Sequence, residues 1–106
     1  NDGPTTEAYE AINKVRDRAF KDNGSGEHDL KGLDYKSFRQ AILDERRWEL
    51  VLEGSRWFDL VRLSTDFANE IKRTKPDSYV EEKHKLYPIP QYERLLNHRI
   101  TQNEGY

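Results

Sequence analysis

The residues best placed to do chemistry are three glutamates spaced four apart, Glu45, Glu49 and Glu53. On a helix this spacing puts three carboxylates on one side, where they could form an acid–base pair or hold a metal ion. Di-metal sites in helical bundles also need two Glu-x-x-His motifs, and this chain offers a single copy, from Glu81 to His84. We therefore expect no metal and no other cofactor.

Arginines surround these glutamates in the sequence. A row of like charges on a helix is destabilised by about 0.2 to 0.5 kcal/mol per pair, so cations should face it. Arginine suits bidentate, partly buried pairing with carboxylate. A neighbouring arginine also keeps a glutamate ionised, whereas the general acid of a glycosidase must be protonated. The predicted site is therefore a structural ion-pair network with no catalytic residue. Its members are Glu45, Arg46, Glu49, Glu53, Arg56, Asp59 and Arg62.

Within this predicted network, Arg56 should matter for stability. If the carboxylate that pairs with Arg56 is buried, replacing Arg56 by alanine should destabilise the fold by several kcal/mol, because the remaining charge would be unpaired.

Other kinds of chemistry lack their usual signals. There is no nucleophile elbow and no phosphate-binding loop, and His28, His84 and His98 fall in irregular segments typical of solvated histidines. With 18 Lys and Arg against 20 Asp and Glu, no net field would attract nucleic acid. Zero cysteines exclude disulfides and thiolate-bound zinc. Two aromatic residues in polar surroundings, Tyr79 and Tyr92, remain possible ligand contacts.

The elements that would position these residues are helices. Hydrophobic periodicity predicts them at about residues 7–22, from near 34 to 53, at 56–62, more weakly around 67–71, and at 91–96. Thr5 or Thr6 suits the first N-cap, and Gly54 suits the residue after the second helix. Residues 86–90 contain two prolines and should be extended. The predicted fold class is mainly α, with an irregular, extended C-terminal segment.

The predicted core contains three large aromatic residues, Trp48, Trp57 and Phe58. Apolar material is scarce, however, since 34% of the residues are hydrophobic, 36% are charged and the mean hydropathy is -1.09. A 106-residue chain of this composition has little margin over chain entropy unless other polypeptide covers one face. Its start also lacks an initiator methionine and a leader pattern. We interpret residues 1–106 as one region of a larger chain.

Residues 45–62, ERRWELVLEGSRWFDLVR, resemble the C-terminal region of the SusD/RagB family, whose pattern is approximately E-R-x-x-E-L-x-x-E-G-x-R-x-x-D-L-x-R. A second similar block, LYPIPQ at 86–91, is followed by TQN at 101–103 and GY at 105–106. The helix around residues 9–19 is also similar, so the resemblance covers nearly the whole chain. The chain departs from the family at Asn97-His98, where Asn-Pro is usual, and at Glu104, where Pro is usual.

The resemblance implies a parent fold of tetratricopeptide-like helix pairs, of which this chain is a C-terminal fraction. It implies a surface-exposed outer-membrane lipoprotein, anchored outside this chain. Such a protein captures oligosaccharides or other nutrients and works with a TonB-dependent transporter, without catalysing a reaction. The family's glycan contacts lie mostly upstream of the matched motifs, so no ligand-binding residue is assigned here. Two alternatives are a helical protein-interaction scaffold and, third, a carboxylate-dependent glycoside hydrolase.

Overall fold

The computed structural model describes residues 3–63 and 66–106, and these residues are mainly helical and contain no strand. This confirms the predicted fold class. The chain divides into two structural units, the N-terminal unit of residues 1–54 and the C-terminal unit of residues 55–106. Among the described helices, none has the length and apolar character needed to cross a membrane. They are α1 (Thr6–Phe20), α2 (Tyr35–Glu49), α3 (Ser55–Val61), α4 (Phe67–Thr74), a 3₁₀ helix (Glu82–Lys85) and α5 (Gln91–Leu96).

The first helix begins where its cap predicts and ends slightly earlier than expected. The hydroxyl oxygen of Thr5 accepts a hydrogen bond from the backbone N–H of Ala8 at 3.3 Å, which satisfies one of the free donors of the first turn. At the other end, Lys21 takes a left-handed conformation with φ of 58°, which stops the helix after Phe20.

Two polar side chains of α1 hold the loop that leads to α2. The hydroxyl of Tyr9 accepts from the N–H of Leu33 at 2.7 Å and donates to its carbonyl at 3.1 Å. Asn13, one turn later on the same face, makes the equivalent pair of bonds with the backbone of Leu30, at 2.9 and 3.2 Å. Side chains of α1 therefore fix the loop in place by hydrogen bonds to the backbone of the loop.

Helix α2 is capped by Asp34, whose carboxylate accepts from the N–H of Ser37 at 2.7 Å. Hydrogen bonds from Ser37 lower the pKa of Asp34. The helix buries Phe38, whose ring meets Tyr9 of α1 edge-on at 4.7 Å between centroids. This contact joins the two helices of the N-terminal unit.

Helix α2 ends at Glu49, four residues before the predicted end. The chain then turns through Leu52, with φ of 68°, to Gly54, with φ of 75°. Because residues 51 and 52 no longer lie on a helix, they lose the buried face that the periodicity predicted, and Leu52 is 99% exposed. Trp48 is 55% exposed, so its placement in the core is wrong for this chain. Its ring lies beside the guanidinium group of Arg47 at 5.8 Å.

The C-terminal unit contains most of the buried apolar side chains. Helices α3 and α4 pack together, and Trp57 meets Phe67 edge-on at 5.5 Å between ring centroids. The predicted packing role of Trp57 is confirmed, whereas Phe58 is 60% exposed and its placement in the core is wrong. Phe58 follows Trp57 directly and therefore points to another side of the short helix. The buried hydrophobic residues of this unit are Leu60, Leu63, Phe67 and Val80.

The final segment folds back on itself through side-chain-to-backbone hydrogen bonds. Gln102 donates to the carbonyl of Ile89 at 3.0 Å and accepts from its N–H at 2.7 Å. Asn103 donates to the carbonyl of Tyr87 at 2.6 Å. We call these contacts the C-terminal clamp. Because the clamp joins both ends of the intervening chain, residues 90–101 form a closed excursion that contains α5.

Candidate functional site

The first member of the predicted ion-pair network, Glu45, is buried in the N-terminal unit. Its carboxylate accepts a hydrogen bond from Arg16 of α1 at 2.5 Å, and both side chains are largely shielded from solvent. The same guanidinium group donates through Nε to the carbonyl of His28 at 2.6 Å. One arginine therefore connects α1, α2 and the loop between them.

The other two glutamates of the row differ from Glu45 and from each other. Glu49 pairs with Arg18 of α1 near the surface. Glu53 lies in the turn after α2, is exposed, and has no ion pair among the described residues. Arg46 is exposed on α2. Its backbone carbonyl accepts a hydrogen bond from the N–H of Leu50 at the end of the helix. The four-residue spacing thus gives three different environments, because the helix ends before the third carboxylate.

In the C-terminal unit, the central carboxylate is Glu70, which the sequence analysis did not name. Arg56 donates to it at 2.8 Å, and Arg73 donates twice, through Nε and Nη2, at 2.9 Å each. Burial alone would raise the pKa of Glu70, but the hydrogen bonds from Arg73 and Arg56 outweigh it and lower the pKa to about 2. Glu70 is therefore a buried anion held by two guanidinium groups.

Two further members of the predicted network lie close together, Asp59 on α3 and Arg62 just after its end. The carboxylate of Asp59 is buried, and Arg62, one turn later, lies 3.5 Å from it. The predicted charges are thus distributed over two units. Glu45 and Glu49 take their partners from α1, and Arg56 takes Glu70 from α4.

Sequence reasoning missed Arg16, Arg18, Glu70 and Arg73. Glu70 and Arg73 are three residues apart in a segment predicted to be helical, and this spacing was an available signal for an ion pair. Arg16 and Arg18 lie 29 and 31 residues before their glutamates, so no local pattern could have indicated them.

The three histidines occupy separate places. His28 donates through Nδ1 to Asp22 at 2.7 Å and stacks on Phe20 at 4.1 Å. Asp22, Glu27 and His28 form a group whose possible metal-binding atoms lie within 4.8 Å of one another. Their mutual contacts close the loop after α1, and the expectation that the chain binds no metal stays a prediction. His98 is exposed.

Tyr79, a possible ligand contact from the sequence, is already engaged. Its hydroxyl donates to Glu81 at 2.7 Å, and this hydrogen bond raises the pKa of Tyr79 and lowers the pKa of Glu81. Lys83 lies 3.0 Å from the other oxygen of Glu81, and that hydrogen bond raises the pKa of Lys83. His84 accepts the N–H of Glu81 through Nδ1 at 2.9 Å. These contacts order the entry to the 3₁₀ helix.

The C-terminal unit also has an open groove of about 810 Å³. Charges of both signs line it: Glu82 and Lys85 pair with each other, while Lys83 and Glu104 lie along the same lining. Gly105 forms part of the wall, where an added Cβ would lie 2.9 Å from Cδ of Lys83. The groove therefore offers polar groups without a net charge.

These features define a helical module whose buried charges are neutralised by arginines. In agreement with that class, the SusD family model matches residues 1–106, and the chain belongs to the SusD family. This confirms the resemblance to SusD/RagB proteins that the sequence motifs indicate.

Curated relatives and a solved structure show the extent of the similarity. SusD-like protein P25 of Formosa agariphila is 38% identical over 112 residues, which cover 98% of this chain and 21% of that protein. SusD-like protein P2 of the same organism is 32% identical, with 96% and 21% covered. The crystal structure of a SusD homolog from Bacteroides thetaiotaomicron matches with a TM-score of 0.84 and 35% identity, over 99% of this chain and 23% of that one. The chain thus spans about a fifth of the length of these relatives.

Proposed function

We propose that residues 1–106 are the C-terminal part of a SusD-family receptor that captures oligosaccharides or another nutrient at the cell surface. In this proposal the receptor works with a TonB-dependent outer-membrane transporter, and its lipid anchor lies outside this chain. The observation that carries the proposal is the family match over all 106 residues, supported by a TM-score of 0.84 to a SusD homolog over 99% of the chain.

The proposal assigns no reaction to this chain. Glu45 and Glu49 are the carboxylates that a glycosidase mechanism would use, and both form ion pairs with arginines. A glycosidase needs one free acid and one free carboxylate on opposite sides of the scissile bond. The positions of Arg16 and Arg18 favour a structural role for both glutamates.

The first test is native mass spectrometry of the chain purified from its source, before and after mild denaturation. The proposal expects the 12.6 kDa chain to travel with a larger polypeptide. A 12.6 kDa species that travels without a larger polypeptide when purified from its source would contradict it.

The second test measures ligand capture directly. The intact receptor would be run through gels containing defined polysaccharides and compared with the same gels lacking them, and its products with each oligosaccharide would be analysed by mass. We expect retardation by at least one polysaccharide and no cleavage. Cleavage of the oligosaccharide would overturn the non-catalytic assignment, and the absence of retardation with every ligand would argue against glycan capture.

A second candidate function, protein contact alone, is favoured by the exposed apolar side chains of both units. Trp48, Val51 and Leu52 in the N-terminal unit, and Tyr92 and Leu95 in the C-terminal unit, are all more than half exposed. A receptor that binds its transporter but shows no affinity for any nutrient would support this candidate instead.

A further inference from the structure

Helix α5 is exposed along its whole length in the part of the chain that the structure describes. All six of its residues are exposed. Isolated helices shorter than about 12 to 15 residues are marginal in water, because the first turn fixes several residues for one hydrogen bond. A helix of this length needs contacts from outside itself.

The helix presents one apolar stripe. Tyr92, Leu95 and Leu96 occupy positions i, i+3 and i+4 and are 67%, 61% and 65% exposed. This spacing puts them on one side of the helix, whereas Arg94 points to the opposite side. Three adjacent large side chains on an exposed helix are the pattern of a helix that binds in an apolar groove.

The C-terminal clamp holds this stripe in place. Gln102 fixes both backbone groups of Ile89, and Asn103 fixes the carbonyl of Tyr87, so the two ends of the excursion are tied together. Joining the two ends of the excursion limits the conformations of residues 90–101 before a partner arrives, which lowers the entropy lost on binding without protecting the amides of α5. The clamp and the stripe together resemble a prepared docking element.

Two observations indicate what covers the stripe. The chain has thirteen exposed large hydrophobic residues and five buried hydrophobic ones among those described, a ratio that suits a part of a larger fold. The matched relatives carry roughly four-fifths of their length outside the matched region, which spans 20% to 21% of them. That remainder is polypeptide of sufficient size to supply the missing apolar surface.

We propose that the α5 stripe, Tyr92, Leu95 and Leu96, docks into an apolar groove on the larger part of the same receptor. The groove is lined by aliphatic or aromatic side chains and has a polar group at one end for the hydroxyl of Tyr92. This inference rests on the proposal that the chain is part of a longer SusD-family protein, and it adds the surface through which the two parts bind.

The first measurement uses the 106-residue chain alone. We expect it to sediment as a monomer, with the amides of residues 91–96 exchanging with solvent within the dead time of the experiment. Protected α5 amides in a monomer would overturn the proposal, because the helix would then need no partner. Dimers that disappear in Leu95→Ala would also overturn it, in favour of a second copy of this chain.

The second measurement uses a full-length chain, SusD-like protein P25 of Formosa agariphila with its matched region replaced by residues 1–106. We expect exchange at residues 91–96 to be at least tenfold slower than in the chain alone. The double variant Leu95→Ala/Leu96→Ala should lose that protection, and the matched control Arg94→Ala, on the opposite side of α5, should keep it within twofold. Equal exchange rates in the two proteins, or equal effects of the two variants, would overturn the proposal.

The docking result is independent of nutrient binding. Retention of the intact receptor on polysaccharide gels reports the proposed function separately. Slow exchange at α5 without retention would refute glycan capture and leave docking intact, whereas retention with fast exchange at α5 would refute docking alone.

Discussion

The two units of this chain bury similar charges but very different amounts of apolar side chain. Among the described residues, the N-terminal unit buries one hydrophobic side chain, Phe38, and the C-terminal unit buries four. Each unit also buries a glutamate held by arginine, Glu45 in the first and Glu70 in the second. The same type of ion pair is therefore found in two different packing environments.

The difference shows what each unit depends on. In the N-terminal unit, side chains of α1 bond the backbone of the following loop and the carboxylate of Glu45, across as many as 29 residues. In the C-terminal unit, Glu70 takes one partner three residues away and one fourteen away, beside an apolar core. We infer that polar contacts decide the stability of the first unit and apolar packing that of the second.

The chain has two tryptophans, one in each unit, Trp48 and Trp57. Variants in which either one is replaced by phenylalanine report the unfolding of a single unit by fluorescence. A change in stability can therefore be assigned to one unit or the other.

The largest effect is expected from Phe67→Ala in the C-terminal unit. Phe67 is fully buried, and removing a buried phenylalanine destabilises a protein by about 3 to 5 kcal/mol through lost burial and the remaining cavity. Urea unfolding followed through Trp57 measures it. Phe58→Ala, at an exposed phenylalanine of α3, is the matched control and should change the free energy of unfolding by less than about 0.5 kcal/mol. Equal effects would contradict an apolar core centred on Phe67.

Arg16→Ala should have the next largest effect, about 3 kcal/mol, because it leaves the buried carboxylate of Glu45 without its arginine. Unfolding of the N-terminal unit, followed through Trp48, measures it. The control is Arg18→Ala, which removes an exposed pair and should alter stability by less than about 1 kcal/mol. If Arg18→Ala proves as damaging as Arg16→Ala, the N-terminal unit does not depend on the buried pair.

Arg56→Ala should destabilise the C-terminal unit by about 2 to 3 kcal/mol. Its partner Glu70 is buried, as the sequence-based prediction required, but Arg73 remains bound to both carboxylate oxygens and limits the loss. Unfolding followed through Trp57 measures the change. A urea midpoint unchanged within error would contradict the assignment of Arg56 to a stabilising ion pair.

Acid should weaken the C-terminal unit through Glu70. Its pKa is lowered from 4.5 to about 2 in the folded state, so its contribution is fully present above pH 4.5 and is lost as the pH falls towards 2. The free energy of unfolding, measured through Trp57 across this range, should therefore fall with pH. Glu70→Gln removes the titrating group and should flatten the slope, and an unchanged slope would assign the acid sensitivity to other carboxylates.

The smallest effect is expected from Gln102→Ala, which removes the two hydrogen bonds of the C-terminal clamp with Ile89 and the one that Gln102 accepts from the N–H of Asn103. Each neutral hydrogen bond contributes about 0.5 to 1.5 kcal/mol, so the loss should be local and close to about 1 to 2 kcal/mol. Hydrogen exchange should accelerate at residue 89, whose N–H bonds Gln102, without changing the N-terminal unit. Exchange at that amide as slow as before would show that the clamp does not fix the excursion.

Local signals were sufficient for most helices of the fold. The cap at Thr5, the hydrophobic period of α1, and the range of α5 are properties of neighbouring residues, and the structure has them within a few positions. The end of α2 was not predictable in this way. Apolar residues continue past Glu49 to Leu52, so the periodicity gave no reason to stop, and the left-handed turn there overrides it.

The ion pairs likewise divide into those set by local spacing and those set by tertiary packing. The partnership of Glu70 with Arg73 follows helical spacing and could be read from the sequence once α4 was placed. The partnership of Glu45 with Arg16 depends on how α1 lies against α2, which no local pattern specifies. Ion pairs between neighbours on one helix could therefore be read from the sequence, whereas the long-range partners required the folded chain.

The turn at Leu52 makes this chain easy to label at one chosen point. The chain contains no cysteine, so Leu52→Cys would introduce a single thiol at a position whose side chain meets solvent over 99% of its surface. A fluorophore attached there would disturb no packing within the N-terminal unit. It would also lie beside the boundary between the two units, after residue 54. In the variant that keeps Trp57 as its one tryptophan, resonance energy transfer to such a dye would report changes in the length of the segment between residues 52 and 57.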